Sequence, residues 1–163
     1  MERYAVVRTD NMMGTRVGTH LVTLRYPEQI ENGNVLMIGA LEEDSREVRE
    51  GDVPGAATPL RDLALIASVE IVKDVEKHDI FEFINKEGAA LRGYRFAQHD
   101  IFSITPEAIH ADSPDPEVGQ FAFIASSSQI RLGAAASGTT IGRVIAVETD
   151  EPTGQQFIVI QVQ

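Results

Sequence analysis

His78-Asp79 and His99-Asp100, each followed by Ile-Phe, are the nearest this chain comes to a repeated chemical unit. An imidazole beside a carboxylate can ligate zinc or iron, or serve a hydrolase as base and orienting group. Neighbouring side chains in a strand point to opposite faces, however, so one His-Asp dipeptide does not bring both groups to one ion. Both histidines are therefore expected in solvated turns. His110 stands near Asp112, Asp115 and Glu117, the raw material of a cation loop. Pro114 and Pro116 interrupt that stretch, and it lacks the Asp-x-Asp-x-Asp-Gly spacing of a calcium-binding hand.

Ser126-Ser127-Ser128 could supply a nucleophile to a distant His and Asp, but no Gly-x-Ser-x-Gly elbow surrounds it, and the run reads as a turn between strands. Gly133-Ala-Ala-Ala-Ser-Gly138 resembles a phosphate-cradling loop in composition alone. It lacks the Lys-Ser/Thr ending and leads into a strand, so it is expected to be a flexible hairpin connection. Glu42, Glu43 and Asp44 are clustered carboxylates in a polar segment with Arg46 close by, which favours a solvated turn over acid-base work. No catalytic, cofactor-binding or metal-ligating residue is assigned from the sequence. Met12 and Met13 are different: two large flexible apolar side chains in a loop are either core plugs or contact points for a partner.

Composition narrows the field. The 163 residues carry Lys and Arg 14 times against Asp and Glu 25 times, a formal charge of -11 that repels phosphate backbones, so nucleic acid is not expected as a partner. There is no cysteine, which removes disulfides and thiolate chemistry and leaves packing and hydrogen bonds to hold the fold. No apolar run approaches the roughly 20 residues of a membrane-spanning helix, and the first residues lack the pattern of a secretory signal. A protein made in the cytoplasm and independent of membranes is the expectation.

The elements that position these residues are short. Arg3–Thr9, His20–Tyr26, Val35–Ala40 and Leu63–Val72 read as strands, with Val35–Ala40 buried on both faces and the polar Asp44–Glu50 at a sheet edge. Residues 51–59, rich in Gly, Pro and Ala, predict a long surface loop. Lys73–Lys86 mixes helical and strand spacings, with a short helix or turn expected around Ile80–Asn85. Leu91–Phe96 and Asp100–Ile104 read as two strands around a polar turn, and Thr105-Pro106 as the start of one helical turn through Ile109. Past an acidic, Pro-rich linker at 112–117 come Gln120–Ala125, Gln129–Leu132, Thr140–Glu148 and Gln156–Val162, the last two joined as a hairpin at Asp150–Gly154. The fold class is mainly β: an antiparallel β-barrel or sandwich of about nine or ten short strands with one or two short helical turns. One β-rich domain over 1–163 is expected, with room for a small satellite lobe.

Three stretches resemble a known family: Glu87–Phe96 continued by His99–Ile109, Tyr4–Thr15, and Gly142–Thr149. They are similar to the head decoration, or capsid cement, proteins of tailed bacteriophages. The resemblance spans most of the chain through diffuse Gly, aromatic and β-branched positions. It implies a β-rich, non-enzymatic virion structural protein, located on the capsid surface, that binds the major capsid protein and stabilises the assembled shell, with a homo-oligomer expected. It carries no catalytic motif and transfers no functional residue. On this reading the contact residues lie in two loops, at Met12, Met13 and Gly14 and at Pro54 and Gly55. Two other readings stay open. One is a β-barrel module that binds a ligand such as carbohydrate, for which seven Phe, three Tyr and no Trp offer few platforms. The other is a small hydrolase using His99 and Asp100.

Overall fold

Alternation of buried and exposed side chains sorts the strands into two layers. The computed structural model describes residues 3–71 and 79–163. Its strands are β1 (Val7–Asn11), β2 (Leu21–Arg25), β3 (Val35–Leu41), β4 (Val48–Asp52), β5 (Leu63–Ile66), β6 (Ala90–Arg95), β7 (Ile101–Ile104), β8 (Phe121–Ile124), β9 (Arg131–Gly133), β10 (Thr139–Asp150) and β11 (Gln155–Val162). Five of them close a barrel in the order β2-β4-β3-β5-β6, antiparallel except for the β2–β4 pair. The other six form an open antiparallel sheet in the order β1-β7-β11-β10-β8-β9. The mainly β class read from the sequence holds. The helical content among the described residues is short 3-10 turns, among them Met13–Thr15, Gly18–His20 and Pro106–Ala108.

Each layer buries one set of alternate residues. Val22, Leu24, Ile30, Leu36, Ala64, Ile66 and Leu91 fill the barrel. The intervening barrel residues Val35, Leu63, Leu65 and Tyr94 share a second cluster with Phe102, Ile104, Ile124, Ile141, Ile158 and Ile160 of the sheet. One flank of the barrel is thus the floor on which the sheet lies. β5 serves both cores, which is why all four of its residues are buried.

Several boundaries differ from the sequence reading for physical reasons. The strands buried on both faces are β5 and, over Phe157–Ile160, β11; β3 starts that way at Val35 and Leu36 but runs out to an exposed Leu41. The polar β4 is no edge, because barrel closure gives it β2 on one side and β3 on the other. Leu91–Phe96 and Asp100–Ile104 are strands, but they do not pair: β6 belongs to the barrel and β7 to the sheet, so the turn between them is the crossing from one layer to the other. Thr105 precedes a single 3-10 turn with Pro106 at its start, yet its hydroxyl accepts from Val6 N at 3.1 Å and does not cap that turn. The 133–138 segment is not a hairpin link, since β8 lies between β9 and β10. The hairpin at 150–154 is present, closed by Gly154 N donating to Asp150 O at 2.7 Å with Gly154 at φ 68°. Of the Leu63–Val72 and Lys73–Lys86 segments, residues 72–78, including His78, lie outside the described residues; Ile80–Glu82 is a 3-10 turn begun by Asp79, whose carboxylate accepts from Phe81 N.

Candidate functional site

The crossing turn between β6 and β7 shows what the His-Asp pair does. Asp100 is buried, at 5% exposure. Its Oδ1 accepts from Met13 N at 2.8 Å and its Oδ2 from Ala97 N at 3.0 Å. Both oxygens are engaged by backbone donors, so this carboxylate is a staple that ties the Met12–Thr15 corner to the crossing turn. His99 is exposed in the left-handed region at φ 72°, where it shapes the turn.

The other candidates are likewise held by neighbours. Arg131 Nη2 lies 3.0 Å from His110 Nε2, and Asp112 Oδ2 lies 3.6 Å from Nδ1 and 3.8 Å from Arg131 Nη1. Both ring nitrogens face donors, Nε2 the Arg131 guanidinium and Nδ1 the Asp112 backbone N–H at 3.2 Å. This clasp fastens the start of the acidic linker to β9. Ser128 Oγ donates to Asn34 Oδ1 at 2.8 Å and the Asn34 amide donates to Glu31 O at 3.2 Å, which joins the serine run to the chain around a second buried amide pair, Asn32 and Asn85. Glu42 is paired with Arg25 at 2.8 Å. No cluster of three or more potential metal-ligating side chains occurs among the described residues.

The two loops named for contact are built differently. Met12 is a core plug, 1% exposed in the cluster between the layers, while Met13 is turned outward at 43%. Gly14 is buried because the backbone passes close to Tyr94: a Cβ there would sit 2.7 Å from the ring. Val17, 39% exposed, follows before the second 3-10 turn. The corner therefore shows Met13 and Val17 on a backbone fixed from beneath by Asp100 and Tyr94. In the other loop Pro54 is buried and Gly55 exposed. That loop is anchored separately, by Thr139 Oγ1 donating to Thr58 O at 2.6 Å.

A third surface was not singled out from the sequence. The outer face of the six-stranded sheet, turned away from the barrel, carries Arg8 of β1, Phe157 and Val159 of β11, Arg143 of β10 and Phe121 of β8. Arg8 stacks over Phe157 at 3.7 Å and Arg143 over Phe121 at 4.1 Å. Beside them Val118 and Ile145 are exposed, at 66% and 41%. The signal was the unbroken apolar runs Phe121–Ile124 and Phe157–Ile160, which leave apolar residues on both faces of their strands. A shallow groove of about 600 Å³ also crosses β2 and β6, with Thr23 and Leu21 in its lining and Glu47 and Arg92 as charged walls.

No family model, curated protein or solved structure matches this chain.

Proposed function

We propose that the chain is a non-enzymatic structural protein of a tailed-bacteriophage head, binding the major capsid protein at the virion surface and stabilising the assembled shell. The observation that carries this reading is the stapled corner. Two stretches that carry the family resemblance, Tyr4–Thr15 and Glu87–Ile109, meet where Asp100 accepts from Met13 N, and the junction presents Met13 and Val17 to solvent. An apolar contact on a backbone already fixed loses little conformational entropy when it docks, so a small surface repeated over a lattice can bind well. The groups that could have done chemistry, Asp100, His110, Glu42 and Ser128, are engaged in holding turns and layers.

Cosedimentation with capsids of the encoding phage assembled without this protein tests the proposal. The chain is expected to pellet with shells and to stay in the supernatant alone, and Met13→Asp with Val17→Asp is expected to weaken binding about tenfold or more. Failure of the unmodified chain to pellet with shells overturns it. The groove over β2 and β6 supports a second reading, a ligand-binding barrel module. A rise in melting temperature with a glycan, abolished by Arg92→Ala, would favour that reading.

A further inference from the structure

We draw no further inference here: the strongest candidate, the shallow groove across β2 and β6 with Glu47 and Arg92 as its charged walls, already underlies the ligand-binding reading above, and nothing in the structure shows what fills it.

Discussion

In the barrel every strand has a hydrogen-bonded neighbour on both sides, whereas the sheet ends in β1 and β9, and its outer face mixes buried side chains, Phe123, Phe157 and Val159, with exposed Arg8 and Arg143. The barrel interior is a small apolar cluster topped by buried amides: Asn32 Oδ1 accepts from Ser68 N at 3.0 Å and from Asn85 Nδ2 at 3.1 Å. The sheet shares its inner face with the barrel and places arginines over phenylalanines on the other. Closure consumes a sheet's bonding edges, and a cover consumes its apolar face; the barrel has the first, and the sheet has neither in full. The exposed apolar side chains Met13 and Val17 stand at the corner where sheet and barrel meet, and Val118 and Ile145 stand at β8 and β10.

Phe102→Ala offers the largest expected effect that would break this division. Phe102 is 1% exposed between the layers, and its loss should cost about 3–5 kcal/mol. Because β5 belongs to both cores, a single cooperative transition is expected by calorimetry and urea titration; two separated transitions would mean that barrel and sheet are independent bodies. Asp100→Ala should follow at about 2–3 kcal/mol, since it strands two part-buried backbone donors, Met13 N and Ala97 N. Hydrogen exchange should show its loss of protection at residues 12–15 and 97–100. Asn32→Ala, on the barrel side, should cost about 1–3 kcal/mol by leaving Ser68 N and Asn85 Nδ2 without their acceptor.

The smallest effect is in pH dependence. Burial pushes the Glu70 carboxyl above its ordinary value of 4.5, with the Asn32 side chain pulling partly the other way. The folded state then holds this proton more tightly than the unfolded chain. Its contribution therefore lowers stability as pH rises from 4.5 through the raised folded value, and below 4.5 the penalty is absent. Glu70→Gln is expected to flatten the urea midpoint across that window and to raise it slightly at neutral pH. An unchanged slope would place the carboxyl in water.

Strand identity was largely legible from the sequence, because alternation such as Val22 and Leu24 against Leu21 and Thr23 reports one buried face directly. Which strands pair was not. β6 and β7 are neighbours in the chain with a short polar turn between them, the local pattern of a hairpin, and only the positions of β2, β5 and β11 send them to different layers. The role of Asp100 was hidden for the same reason, since its partner Met13 lies 87 residues away in sequence. At Met12 and Met13 the sequence left core plug and contact as alternatives, and the structure assigns one residue to each. The outer sheet face announced itself in the continuous apolar run Phe157–Ile160, all four residues of which are buried, but a run alone does not say what covers each face.

The central claim, adhesion to an assembled shell, is tested most directly by saturation binding of the purified chain to assembled capsids and, in parallel, to unassembled capsid protein. The account predicts binding to shells that saturates at a fixed ratio to capsid subunits and raises the temperature at which the shells rupture. Binding without saturation, no rise in rupture temperature, or no binding at all would contradict it.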